Sequence, residues 1–258
     1  MRLYFKYLGI QLRCQMQHKG SFFLNMIGQA LTSLTTFLGV YFMFLRFHTV
    51  AGFTFEEVLL CFATVLLCFS AAECFGRGFD AFSRMLGNGQ FDRILVRPRN
   101  EALQVLGTNV DFTRLGRFLE ALAVFAYAIP KCGVAWTWDK AATLLMMLVC
   151  GTAVFIGLFV VYASLCFFTT EGLEFINIFT DGGREFGRYP FSVYGGRVLK
   201  FFTFVVPLAL FQYYPFLYLL GRAQHWWYCL LPPISLLFLI PCRFLWKLGV
   251  RHFRSTGS

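Results

Sequence analysis

The chain is predicted to be an all-α polytopic membrane protein with six transmembrane helices and both termini in the cytoplasm. Three observations predict this. Of its 258 residues, 58% are hydrophobic and only 14% are charged, against about 25% charged in a soluble domain. Uncharged runs recur that meet the roughly 20 residues needed to cross a bilayer. The basic residues also alternate between the two sides. Three connections carry only Arg46, Lys131, Lys140 and Arg222. The remaining Lys and Arg, apart from Arg114 and Arg117, lie in the termini and in two polar stretches, 76–100 and 171–200. Basic loops stay cytoplasmic, so the termini and both stretches are placed there.

Residues 1–20 read as an interfacial amphipathic helix. Leu3, Tyr4, Tyr7, Leu8 and Leu12 favour one side, and Arg2, Lys6, Arg13 and Gln17 the other. They lack the uninterrupted apolar core and small-residue cleavage site of a signal peptide. The first span covers about 21–46, since residues 20–45 contain no Asp, Glu, Lys or Arg. The second covers about 55–75, with Glu73 near its end. The third, about 113–130, is uncharged only over 121–130, so it must carry Arg117 and Glu120 inside. Their i, i+3 spacing allows an intramembrane ion pair.

Trp136 and Trp138 then suit an interfacial aromatic belt. Residues 141–170 are uncharged and supply the fourth span, about 141–168. Within 171–200, Asp181-Gly182-Gly183 is a turn signal. The fifth span, about 201–221, has Pro207 inside and Pro215 near its end, which predicts a kink or break. The sixth covers about 223–242 and is followed by Arg243, Lys247, Arg251 and Arg254. Tyr213, Tyr214, Tyr218, Trp226, Trp227 and Tyr228 fit either a hairpin dipping into the outer leaflet or an ordinary aromatic belt. The whole of 1–258 reads as one transmembrane domain.

The stretch 76–100 stands apart. Arg77, Arg84, Arg93, Arg97 and Arg99 share it with only Asp80 and Asp92. Phe79, Phe82, Met85, Leu86, Phe91, Ile94 and Leu95 recur at roughly helical spacing. The pattern predicts one or two short amphipathic helices, broken at Gly87-Asn88-Gly89 and stopped by Pro98.

Catalytic motifs are missing. No lysine lies in the G-x-x-x-x-G-K-[ST] context that cradles phosphates. Neither H-E-x-x-H nor G-x-S-x-G occurs. His18, His48, His225 and His252 are far apart at span ends. The nine cysteines show no C-x-x-C and no zinc spacing. No metal site, bound cofactor or disulfide framework is therefore expected. With no soluble basic domain, the net charge of +10 does not point to nucleic acid. Charges inside spans are the usual sign of an ion pathway. The alternative function is accordingly a secondary transporter or channel using Glu120 and Arg117.

Two segments carry a resemblance. One holds Arg77, Asp80, Gly89, Asp92 and Leu95-Val96-Arg97-Pro98, followed by Gln104-Val105-Leu106-Gly107. The other holds Phe186-Gly187-Arg188-Tyr189-Pro190, Val193-Tyr194, Val206-Pro207, Tyr214-Pro215-Phe216 and Leu220-Gly221-Arg222. In order and spacing they resemble the membrane (permease) subunit of ABC-2-type transporters. The resemblance implies a six-span subunit without catalytic residues, paired with a second copy or a homologous permease in the plasma (inner) membrane lipid. It implies two ABC ATPase subunits on the cytoplasmic face, where ATP and Mg would bind, and ATP-driven transport, usually export. It also implies that 76–100 holds a coupling helix that enters the ATPase. Phe79, Asp80, Phe82, Gln90, Phe91, Asp92, Ile94, Leu95 and Arg97 are the candidate coupling residues. Phe79, Phe82, Phe91, Ile94 and Leu95 are the expected apolar anchors, and the half from Gln90 to Pro98 the expected main contact. The broadly apolar spans favour a hydrophobic or amphipathic cargo.

Overall fold

The computed structural model describes residues 2–169 and 177–253. Residues 170–176 of the second polar stretch and Arg254 lie outside them. The described chain is helical apart from turns and one isolated bridge between Val50 and Phe53.

Helix α1 (Arg2–Gln15) leads through a 3-10 turn at Met16–His18 into α2 (Lys19–Arg46). The face of α1 that meets the protein is polar and aromatic. Tyr4 Oη donates to Phe75 O at 3.0 Å, and Gln11 Nε2 donates to Thr108 O at 2.6 Å. Gln15 donates to Val110 O and accepts from Phe112 N. Phe5 and Leu12 are exposed on one flank of the helix and Ile10 on the other.

The core is organised around α3 (Phe55–Asp80). Thr54 and Glu57 form a capping box at its start. Residues 57–70 are buried without interruption, as expected of a helix that is apolar all round. It packs on α7 (Leu115–Lys131) and α8 (Trp138–Thr169). Between α3 and α7 lie three short helices: α4 (Phe82–Gly87), α5 (Gln90–Leu95) and α6 (Glu101–Thr108). A Cβ on Gly78 would lie 1.9 Å from Val105 O, so glycine alone admits α6 this close to α3. Gly116 does the same for α7 against α2, where a Cβ would lie 2.0 Å from Met26 O.

The last third is more broken. Helix α9 (Asn177–Phe186) contains Asp181-Gly182-Gly183, so the turn signal there is overridden. Helix α10 (Gly196–Phe204) is followed by α11 (Leu208–Phe211) and α12 (Tyr213–Leu219). The chain bends by 90° between α10 and the α11–α12 pair, at Pro207. A 3-10 turn at Trp226–Leu230, α13 (Leu231–Ser235) and α14 (Leu239–His252) form a nearly continuous rod from Trp226 to His252.

Among the described residues, four helical rods are long and apolar enough to cross a membrane: Tyr4–Arg46, Phe55–Gly87, Trp138–Thr169 and Trp226–His252. The bent pair can supply a fifth. These correspond to five of the six predicted spans. At the third, α7 has 17 residues, about 26 Å at 1.5 Å per residue. That is short of the roughly 30 Å hydrocarbon core. The last rod also runs ten residues past the predicted end at 242, carrying Arg243, Lys247 and Arg251 on the helix.

Candidate coupling surface and ion network

The two halves of the 76–100 stretch divide at Gly89, whose φ of +62° is left-handed and suits glycine. Residues 76–80 are the last turns of α3 rather than a separate element. Helix α5 is held from below by Gln104. Its Nε2 donates to Ile94 O and Arg99 O at 3.4 and 3.3 Å, while Asn100 caps α6 by accepting from Leu103 N.

Most of the apolar residues in this stretch face inward. Phe79, Phe82, Phe91 and Ile94 are buried in the chain's own core. Phe82 lies 4.9 Å from Phe167 and 5.3 Å from Trp246, centroid to centroid, and Phe91 lies 5.2 Å from each of Phe82, Phe167 and Phe253. Phe79 meets Trp246 at 5.2 Å. This corrects the expectation that these four are anchors for a partner. They join α3, α4 and α5 to the ends of α8 and α14. Asp80 and Asp92 are half-buried. The exposed residues of the half after Gly89 include Gln90, Arg93, Leu95, Val96, Arg97, Pro98 and Arg99, with Val96 at 85% exposure; Arg84, Gly87 and Asn88 are exposed before it.

Beneath this surface is an ion network. Glu73 pairs with Arg117 at 2.5 Å and with Arg114 at 3.1 Å. Asp111 pairs with Arg77 at 2.7 Å and with Arg114 at 3.5 Å. Gln29 Oε1 accepts from Arg114 at 3.0 Å and from Arg117 at 2.9 Å. The network therefore ties α2, α3 and α7 together. The predicted Arg117–Glu120 pair does not form. The two lie on one helix, but the guanidinium is taken by Glu73. Both Glu120 carboxylate oxygens are buried outside hydrogen-bond geometry, with Ser33 and Arg117 acting on the carboxyl. Among the described residues no group of His, Cys, Asp and Glu converges as a metal set.

Residues 30–257 match the family model described as ABC-2 family transporter protein. The chain belongs to the ABC-2 transporter family. No curated protein and no solved structure matches it.

In this ABC-2 protein the described part of the second polar stretch packs back onto α2 and α3. Arg188 reaches Thr36, well along α2, and pairs with Glu185. Gly187 O accepts from Gln212 Nε2 and Cys61 Sγ, near the far end of α3. Arg184 pairs with Glu185 at 2.8 Å and lies 4.8 Å over the Phe69 ring. A cavity of about 40 Å³ lies between α2, α3, α7 and α9, lined by Ser33, Thr36, Arg117, Arg184 and Arg188 among others. It has room for one or two waters. Charged groups at this depth are expensive and are ordinarily functional in membrane proteins. Sequence patterning missed this arrangement because the signal in 171–200 is only polarity, which also describes a loop.

Proposed function

We propose that the chain is the permease subunit of an ATP-driven transporter, forming the translocation pathway and catalysing no reaction itself. Family membership, together with the absence of any phosphate-binding loop, is the observation that carries this. Energy must come from ABC ATPase subunits, two per transporter, which hold ATP and Mg. They dock on the outward surface formed by Leu95, Val96, Arg97, Pro98 and Arg99. The buried ring cluster of Phe79, Phe82 and Phe91 then passes displacement of α5 to α8 and α14. A second permease, identical or homologous, completes the pathway. Asn25 on the uncovered face of α2 supports such pairing, because polar residues in a span ordinarily face protein or water. The cargo is hydrophobic or amphipathic, the direction is export, and the membrane is the plasma (inner) membrane.

A second reading rests on Glu120, whose buried carboxylate has only Ser33 and Arg117 acting on it among the described residues. It would make the chain an ion-driven transporter acting alone. Reconstitution separates the two. Proteoliposomes holding this chain and its ATPase are expected to move a lipid-like fluorescent cargo only with ATP and Mg. Transport by the chain alone, driven by a proton or sodium gradient and abolished by Glu120→Gln, would favour the second reading instead.

A further inference from the structure

A groove of about 300 Å³ separates α1 from α5 and α6. That is the lower end of the roughly 300–1,000 Å³ range of small-molecule sites. Its charge is one-sided. Arg93 and Arg97, four residues apart, both line it, and no acidic side chain does. Neither arginine makes an ion pair among the described residues, where Arg77, Arg114, Arg117, Arg184, Arg188 and Arg222 all do. Gln11 and Gln90 add amide hydrogen-bonding groups to the lining.

The opposite wall is formed by Tyr7, Ile10 and Gln11 of α1, with the Gln11 amide nitrogen already bonded to Thr108 O. Ile10 lines the groove and is 56% exposed. Phe5 and Leu12 are exposed on the other flank of α1 and do not line the groove. A ligand here would meet two guanidinium groups without an ion pair among the described residues at one end, and Tyr7 and the exposed Ile10 of α1 at the other. Guanidinium suits phosphate oxygens, which it can hold through paired N–H donors.

We propose that this groove binds the phosphate headgroup of an anionic phospholipid, with Arg93 and Arg97 on the phosphate and Ile10 against the glycerol and upper acyl chain. The bound lipid ties α1 to the coupling region and so sets the position of α5. A soluble phosphate would satisfy the arginines but would leave the exposed Ile10 unused. The site shares Arg97 with the proposed ATPase contact and to that extent rests on the same outward surface, whereas Arg93 lies outside that contact, and binding is measured without the ATPase.

The test is equilibrium binding of a fluorescent phosphatidylglycerol to the full-length chain in detergent micelles, with phosphatidylcholine and inorganic phosphate as competitors. Phosphatidylglycerol is expected to bind in preference to phosphatidylcholine. Arg93→Gln and Arg97→Gln are each expected to weaken it about fivefold, and Arg93→Lys to retain most of the affinity. Lys247→Gln with Arg251→Gln, which removes two exposed cations on α14, should leave binding unchanged. The proposal is overturned by either of two losses of specificity: equal binding of both lipids, or equal loss in the α14 control. It is also overturned if inorganic phosphate at millimolar concentration displaces the lipid fully, which would make the groove a soluble-phosphate site.

Discussion

Glu73→Ala is expected to destabilise the folded chain by about 3–5 kcal/mol, because it strands charges that are not free to reach bulk water. Glu73 is the carboxylate that Arg117 meets at 2.5 Å and Arg114 at 3.1 Å. Arg114 keeps Asp111, but Arg117 keeps only the neutral Gln29. The unfolding midpoint in detergent reads the loss directly. Adding Arg117→Gln should recover part of it, since the orphaned guanidinium is then gone. Glu120→Gln should leave the midpoint near wild type, because Glu120 makes no ion pair among the described residues. An Arg117–Glu120 pair would reverse that order, so the two single variants distinguish the network in the structure from the one expected along α7.

Phe91→Ala should also cost about 3–5 kcal/mol, the usual range for emptying a buried phenylalanine site. The ring is fully buried against Phe82, Phe167 and Phe253. Phe91→Asp should cost more, because it adds an unpaired charge to the same space. Both follow from the inward orientation of α5. If Phe91 were a partner anchor, both variants would keep the wild-type unfolding midpoint. The alanine variant also bears on the relay. It should retain ATPase binding through the outward residues, while the ATP hydrolysed per cargo moved rises.

Much of the fold was legible because bilayer physics leaves a strong imprint. Long uncharged runs located α2, α3, α8 and the Trp226–His252 rod, and Pro207 marked the 90° bend. The limits of α7 came within two residues of prediction although only ten of its residues stand clear of charge. The N-terminal helix was anticipated, but its orientation was not. Tyr4 reads with the apolar side in sequence and nothing there marks Gln11 or Gln15, yet all three bond to main-chain groups of residues 75 and 108–112.

The 76–100 stretch shows where pattern stops being informative. Helical spacing of Phe79, Phe82, Phe91 and Ile94 identifies an apolar face. It does not say whether that face meets a partner or the same chain. The deciding residues, Phe167, Trp246 and Phe253, lie far along the sequence. The ion network was hidden for the same reason. Local i, i+3 spacing pointed to Glu120, whereas Glu73 reaches Arg117 from another helix. What the sequence pattern could supply was the break at Gly89, because a left-handed residue between two short helices has a local cause.

The central claim is that the outward residues of 95–99 receive the ATPase while the buried rings hold α5 to the bundle. Its most direct test is co-purification of the ATPase with Leu95→Asp/Val96→Asp and with Phe91→Ala, alongside the unfolding midpoint of each. The double variant is expected to keep the wild-type midpoint and lose ATPase association by about tenfold or more. Phe91→Ala is expected to do the reverse. Wild-type ATPase association in Leu95→Asp/Val96→Asp would contradict the assignment.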